Sequence, residues 1–194
     1  INGKITNAPI SREAARQILD LQDHPRKIVI KHDVRIPQKA GFGASGAGAL
    51  STALALNAVL ELGLSREECG KIAHVAEVTH QAGLGDVIGQ IHDGMEFRVK
   101  EGAPGIGKIK HLEIDRSLFI TCASIGTLET KKILQDPKSR NNIMKMGQEL
   151  LESIKANKNL SLEDIFTNSK IFARKTGLIP PDLDHALKEL EKNI

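Results

Sequence analysis

The sequence lacks the features that define several large classes of protein. It has only two cysteines, Cys69 and Cys122. Each lies in an apolar segment, so we expect two buried thiols in the reducing cytoplasm and no disulfide. The longest apolar stretch, residues 47–60, is interrupted by polar residues and is too short to cross a bilayer. These shortages favour a cytoplasmic protein without a membrane anchor.

Concentrated positive charge is also missing. The sequence has 27 Lys and Arg against 24 Asp and Glu, a net charge of +3. Because the acidic residues are interleaved with the basic ones, they leave no basic face for DNA or RNA. We therefore expect no nucleic-acid partner.

Two common kinds of catalytic site are absent as well. The sequence has no Gly-x-Ser-x-Gly nucleophile elbow. No two of the histidines His74, His80, His92 and His111 are four residues apart with a Glu general base between them, as in a zinc-binding helix. We interpret these histidines as core or surface residues.

The sequence does contain the alternating patterns of a globular α+β protein. It is 40% hydrophobic and 26% charged, which is ordinary for a folded domain. A period of two residues, or a short apolar run, predicts strands at 28–36, 95–99, 108–114 and 118–123.

Helices are predicted from apolar stripes and from capping residues. Ser65 and Glu68 form a capping box, and later helices should begin at Asp136, at Ser161 and after Pro180. Helices dominate from residue 127 onward. We therefore predict an α+β domain at 1–115 and a mainly helical domain at 116–194.

A glycine-rich loop, Gly-Phe-Gly-Ala-Ser-Gly-Ala-Gly at 41–48, lies between the strand predicted at 28–36 and an apolar helix of about 17 residues. Glycines let successive backbone N–H groups point into one concavity, and the helix N-terminus adds its positive dipole end. The loop therefore suits a phosphate group. It lacks the Gly-Lys-Ser/Thr of a P-loop, and its Gly-x-Gly-x-x-Gly string has no acidic residue at the end of a second strand. Close helix packing by small residues stays an alternative reading.

Phosphoryl transfer also needs Mg²⁺, oxygen ligands to hold it, and a carboxylate near the attacking hydroxyl. Glu77 lies at the edge of a helix stripe, and Asp86 follows in a Gly-Leu-Gly-Asp bend. The hydroxyl of Ser45, inside the loop, is a candidate Mg²⁺ ligand. An Asp in such a bend can equally serve as a helix cap.

Together these segments resemble a known family. Residues 36–48 are similar to the second motif of the GHMP kinase superfamily, P-x-x-x-G-L-G-S-S-A-A. The variant found here, with Gly-Leu-Gly-Asp-Val at 83–87 and Gly-Ala-Pro-Gly at 102–105, looks most like the archaeal pantoate kinases. The similarity extends to residues 168–173.

The resemblance implies a two-domain α+β fold whose first part is like the second domain of ribosomal protein S5. It implies that Ser45 and Glu77 bind Mg²⁺, that Asp86 is the base for the substrate hydroxyl, and that Arg98 binds the substrate carboxylate. The loop residues implied to hold the phosphates of ATP are Gly41, Gly43, Ala44, Ser45, Gly46, Ala47 and Gly48.

The expected activity is transfer of the γ-phosphate of ATP to pantoate, which gives 4-phosphopantoate for coenzyme A biosynthesis. Other GHMP kinases, acting on a sugar, a mevalonate-like acid or homoserine, stay open. So does an inactive binding module with the same fold. Because the sequence begins at Ile1 rather than Met, we expect further segments at both ends, and a homodimer is left open.

Overall fold

The computed structural model describes residues 1–83, 85–92, 94–115, 117–127 and 130–192. The chain divides into two compact units, Ile1–Glu113 with Thr127–Lys131 and Ile114–Gly126 with Lys132–Ile194. The first unit contains helices α1 to α4 and a β-hairpin, and the second is helical. Whether 1–115 and 116–194 act as separate domains stays a prediction.

The centre of the first unit is helix α2, Ala44–Val59, which packs against α1, Pro9–Leu19, and α3, Arg66–Thr79. A short helix, α4, Asp86–Ile91, contacts α2 and α3. Because α2 is apolar on nearly every side, it can only be stable when other helices surround it. The buried core residues include Ala14, Ile18, Ala49, Ala53, Leu56, Cys69, Ala73, Ala76, Val87 and Ile91.

The turn between α2 and α3 is fixed by side chains. Asn57 bonds both the backbone N–H and the carbonyl of Leu64, each at 2.9 Å. The predicted capping box of α3 is present, since Ser65 and Glu68 bond each other's backbone N–H groups. Helix α3 is thereby anchored at its start, which sets the position of Glu77 three turns later.

The hairpin consists of β1, Met95–Lys100, and β2, Lys108–Leu112. The two strands are antiparallel, with Glu96 opposite His111 and Arg98 opposite Ile109. These strands confirm the predictions at 95–99 and 108–114, although β2 ends two residues earlier than predicted.

The strand predicted at 28–36 is wrong as a strand. Its alternation is real, because Ile28 and Ile30 pack on the core while Val29 is exposed. A strand also needs a neighbour to complete its hydrogen-bond ladder. Instead, Asn2 bonds the backbone of this segment: its N–H donates to the carbonyl of His32, and its side-chain amide bonds the carbonyl and the N–H of Val34.

The strand predicted at 118–123 is wrong too. Leu118, Phe119 and Ile120 are 54%, 96% and 76% exposed and form no strand. Cys122 is exposed rather than buried, whereas Cys69 is buried as expected. An apolar run indicates burial only where the fold supplies a surface to cover it, and sequence pattern does not report that surface.

The second unit confirms the predicted helix starts. It contains α6, Pro137–Ala156, α7, Leu162–Lys175, and α8, Pro181–Glu191, while α5, Thr130–Gln135, begins in the first unit and ends in the second. Asp136 caps α6, and a capping box at Ser161 begins α7. Arg174 of α7 pairs with Asp184 of α8 at 2.8 Å. Among the described helices, none is both long and apolar enough to cross a membrane.

Candidate active site

The glycine-rich loop enters α2 through a series of left-handed backbone conformations. Lys39, Gly41 and Gly43 have φ angles of 58°, 82° and 62°, and Gly43 is the N-cap of α2. The first N–H groups of a helix have no intrahelical acceptor and carry the positive end of its dipole. The first turn of α2 contains no acidic residue that would occupy them. This end of α2 is therefore suited to an anion.

Gln90 of α4 holds the loop in place. Its Nε2 donates to the carbonyl oxygen of Gly43 at 2.9 Å. Its other amide atom, Oε1, is buried and has no hydrogen-bond partner within the described residues. Gln90 was not among the residues predicted from the sequence, although an amide among the apolar residues of α4 is a usable signal.

Ser45 and Glu77 are brought together as a hydrogen-bonded pair. The Ser45 hydroxyl donates to Oε1 of Glu77 at 2.7 Å, and Glu77 is completely buried. Oε2 of Glu77 is buried and accepts no hydrogen bond from any described residue. Burial raises the pKa of the Glu77 carboxyl, the Ser45 hydrogen bond lowers it, and the nearby Asp86 raises it.

Gly83 leaves room for two carboxylates to meet. A Cβ at Gly83 would lie 3.0 Å from Oδ2 of Asp86 and 3.0 Å from Oε1 of Glu77. The two acids therefore reach the same small volume from α4 and α3. Two carboxylates and a hydroxyl form the kind of oxygen-rich donor set that Mg²⁺ prefers.

Asp86 occupies the first turn of α4 rather than the bend expected from the sequence. The residue is exposed overall, while its side chain reaches close to Gly43 and Gly83. Partial burial raises the pKa of the Asp86 carboxyl, while the Arg98 charge lowers it. The carboxylate thus lies at the edge of the site, where a small molecule can approach it.

Arg98 reaches the same region from strand β1. Its Nη2 lies 2.7 Å from the position that a Cβ would occupy at Gly85. Arg98 is half-buried and close enough to Asp86 to lower the pKa of that carboxyl. Its charge also contributes, after burial, to lowering the pKa of His74. A carboxylate and a guanidinium therefore lie near each other at the start of α4.

A cavity of about 500 Å³ opens beside the start of α2. Its lining includes Ser11, Val34, Ile36, Ser45 and Gly48. Small-molecule sites commonly have volumes of about 300–1,000 Å³. A second cavity, of about 650 Å³, lies between the N-terminal residues and 28–32 and contains none of the predicted site residues.

Comparison with known proteins gives the same family for this region. Residues 10–94 match the family described as the GHMP kinases N terminal domain. This range includes the loop, Glu77 and Asp86, and it ends just before the hairpin that carries Arg98.

Similar proteins extend the match along the chain. The pantoate kinase of Thermococcus kodakarensis is 38% identical over 156 residues, which is 80% of this chain and 50% of that protein. The pantoate kinase of Methanospirillum hungatei is 33% identical over 157 residues, 81% of this chain and 50% of that protein. The chain thus spans half the length of these relatives.

A solved structure also matches. It is described as a phosphotransferase related to the CoA biosynthesis pathway, with a TM-score of 0.73 and 32% identity. The match covers 98% of this chain and 62% of that one. The fold predicted from the sequence, that of a GHMP kinase, is confirmed.

Proposed function

We propose that the protein transfers the γ-phosphate of ATP to the hydroxyl group of pantoate in coenzyme A biosynthesis. The proposal agrees with the match of residues 10–94 to the GHMP kinases N terminal domain. The observation that carries this proposal is the meeting of Glu77 and Asp86 at Gly83, next to the start of α2. Phosphoryl transfer needs an anion site, a metal-binding carboxylate and a base within reach of one another.

The nucleotide would occupy the cavity beside the loop. Its phosphates would accept hydrogen bonds from the free N–H groups at the start of α2, where Ala44, Ser45 and Gly46 lie. Gln90 would keep these N–H groups aimed at the phosphates because it fixes the carbonyl of Gly43. We assign the loop residues 41–48 to this role.

Ser45 and Glu77 fit a Mg²⁺ ion. The buried Oε2 of Glu77 has no donor among the described residues, and a cation would satisfy it. Bound Mg²⁺ would neutralise the charge that the phosphates carry during transfer. Ser45 would contribute its hydroxyl oxygen, either directly to the ion or by keeping Glu77 in position.

Asp86 is the proposed base. It would take the proton from the acceptor hydroxyl as that oxygen forms its bond to the γ-phosphorus and the bond to the leaving ADP breaks. The proton ends on Asp86. Because partial burial raises the pKa of this carboxyl, Asp86 is a stronger base than a fully solvated aspartate.

Arg98 is the proposed acceptor-binding residue. A guanidinium can meet a carboxylate through two parallel hydrogen bonds, which fixes both distance and orientation. Since Arg98 lies beside Asp86, an acceptor held by its carboxylate would present another part of the molecule to the base. Pantoate carries both groups, a carboxylate and a primary hydroxyl.

The test is a phosphorylation assay with a panel of acceptors. The purified protein is incubated with ATP, Mg²⁺ and either pantoate, homoserine, mevalonate or galactose, and the products are identified by ³¹P NMR. We expect a phosphomonoester with pantoate and much lower rates with the other three. A preference for galactose would contradict the acidic acceptor, and ATP binding without turnover on any acceptor would favour an inactive module. A homodimer stays open, and the cytoplasmic location and the absence of a nucleic-acid partner stay predictions from the sequence.

A further inference from the structure

A cluster of two histidines and a glutamate lies outside the proposed kinase site. The ligand atoms of His92, Glu96 and His111 all lie within 4.8 Å of one another. His92 follows the last residue of α4, while Glu96 and His111 face each other across the hairpin. The three residues come from three different segments, so their meeting is a product of the fold rather than of local sequence.

Glu96 is poorly satisfied by the surrounding protein. Its Oε2 is buried and has no hydrogen-bond partner in the part of the chain that the structure describes. The other oxygen, Oε1, lies 3.8 Å from where a Cβ would stand at Gly89 of α4. A buried carboxylate oxygen without a donor is costly, and a bound cation removes that cost.

The two imidazole rings already lie close together, in an edge-to-face arrangement. The ring centroids of His92 and His111 are 5.7 Å apart with an interplanar angle of 76°. The backbone just before His92 is also fixed, because Arg66 donates hydrogen bonds to the carbonyls of Gln90 and Ile91 at the end of α4. Little further ordering is needed to bring the ring nitrogens to a common ion.

We infer that His92, Glu96 and His111 bind one Zn²⁺ ion. Two imidazole nitrogens and one carboxylate are a known zinc ligand set that leaves a fourth position for water. Mg²⁺ and Ca²⁺ prefer oxygen ligands alone, so this site is chemically distinct from the Ser45 and Glu77 pair. With Zn–ligand distances of about 2.0–2.1 Å, ligand atoms in a tetrahedral site are about 3.4 Å apart. Small side-chain rotations close the cluster to that size.

The ion would join the end of α4 to the hairpin. Asp86 begins α4 and Arg98 lies two residues beyond Glu96 on β1. A link at His92 and Glu96 would therefore hold together the two elements that carry these side chains. The zinc site does not depend on the proposed activity, and its test needs no turnover.

Zinc binding is measured by isothermal titration calorimetry, without ATP, on protein freed of metal with a chelator. A Cys122→Ser background removes the exposed thiol as a competing ligand. Each ligand is then changed separately, as His111→Phe and Glu96→Gln. His111→Phe keeps an aromatic ring opposite His92 but has no ligand nitrogen. The matched control is His24→Ala, which removes an exposed histidine outside the cluster.

We expect one Zn²⁺ per chain in the parent and in His24→Ala, and a rise in their Tm with zinc. Because loss of even an indirect supporting group weakens metal sites by about 10–100-fold, loss of a ligand should raise the Kd for zinc by at least about 100-fold. Circular dichroism checks that the variants fold. The assignment is overturned if His111→Phe or Glu96→Gln binds zinc as the parent does, or if the parent binds none at 100-fold molar excess.

Discussion

Two glycines that flank α2 allow the role of the loop to be measured against a matched control. Gly43, at the start of the helix, has a φ of 62°, and Gly63, beyond its end, has a φ of 69°. A Cβ at Gly43 would lie 2.7 Å from Nε2 of Gln90 and 3.2 Å from Cβ of Asp86. A Cβ at Gly63 would meet nothing within 4 Å. Alanine is therefore strained at both positions but crowded only at Gly43.

The expected magnitudes follow from these contacts. Gly63→Ala should lower the free energy of unfolding by about 1–2 kcal/mol, the cost of a left-handed backbone for a residue with a Cβ. Gly43→Ala should lose the same amount and also the hydrogen bond from Gln90, worth about 0.5–1.5 kcal/mol. It should in addition displace Asp86. A shift of about 1 Å in a reacting group can lower a rate about 100-fold, whereas Gly63→Ala should leave kcat unchanged.

Urea denaturation gives the stabilities, and steady-state kinetics with ATP and pantoate give the rates. A double-mutant cycle with Gln90→Ala isolates the contact, because without the amide Gly43→Ala should destabilise the protein about as much as Gly63→Ala. Equal losses of stability and equal kcat for Gly43→Ala and Gly63→Ala, with Gln90 intact, would refute the link between the loop and α4.

Three further substitutions test the roles of the charged residues. Glu77→Gln and Ser45→Ala should each raise the Mg²⁺ concentration needed for half-maximal rate. In the absence of Mg²⁺, Glu77→Gln should be more stable than the parent at neutral pH. Burial raises the pKa of Glu77 above its usual 4.5, so the parent protein should lose stability as the pH rises from 4.5 through the folded-state pKa. The Glu77→Gln variant has no ionisable group at this position and should not show that loss. Parallel stability curves for the two proteins from pH 4 to 8 would contradict this. Asp86→Asn should keep ATP binding, measured by calorimetry, and lower kcat by about 10²–10⁴; a near-normal kcat removes it from the mechanism. Arg98→Met should lower kcat/KM for pantoate by about 10–150-fold, which corresponds to the loss of one charge-assisted hydrogen bond. The KM for ATP should change little, and Arg98→Lys should have a smaller effect than Arg98→Met. An unchanged KM for pantoate would exclude the contact.

Local patterns predicted the helices well because the information is local. Capping residues such as Ser65, Asp136 and Ser161 act within one turn of the backbone, and each begins the helix expected of it. The hairpin was equally accessible, since its strands alternate and are joined by a short turn. Helix α1 was not predicted at all.

Predictions failed where the outcome depends on distant partners. The alternation at 28–36 does place Ile28 and Ile30 on the core, but it cannot say whether a neighbouring strand completes the ladder. For the same reason sequence pattern could not show that His92 and His111 lie together, and both were interpreted as core or surface residues. Their proximity requires the hairpin register, which pairs Glu96 with His111.

For the proposed kinase site, spacing and resemblance selected Ser45, Glu77, Asp86 and Arg98, and the structure brings them into one neighbourhood. Their roles stay proposals until they are tested. The family resemblance did not indicate Gln90, because its role is a hydrogen bond to the backbone carbonyl of Gly43, and a side-chain motif does not record such a bond.

The bond between Gln90 and Gly43 also has a consequence for the order of events in a catalytic cycle. Gln90 and Asp86 are one turn apart on α4, so this short helix links the carbonyl of Gly43, which Gln90 bonds, to the Asp86 carboxylate. If bound phosphates shift the loop, the bond from Gln90 would carry α4 with it and reposition Asp86 at the same time. An acceptor arriving before ATP would then meet an Asp86 carboxylate that is not yet aligned with its hydroxyl. For the proposed kinase reaction, this coupling predicts ordered addition, with the nucleotide binding first.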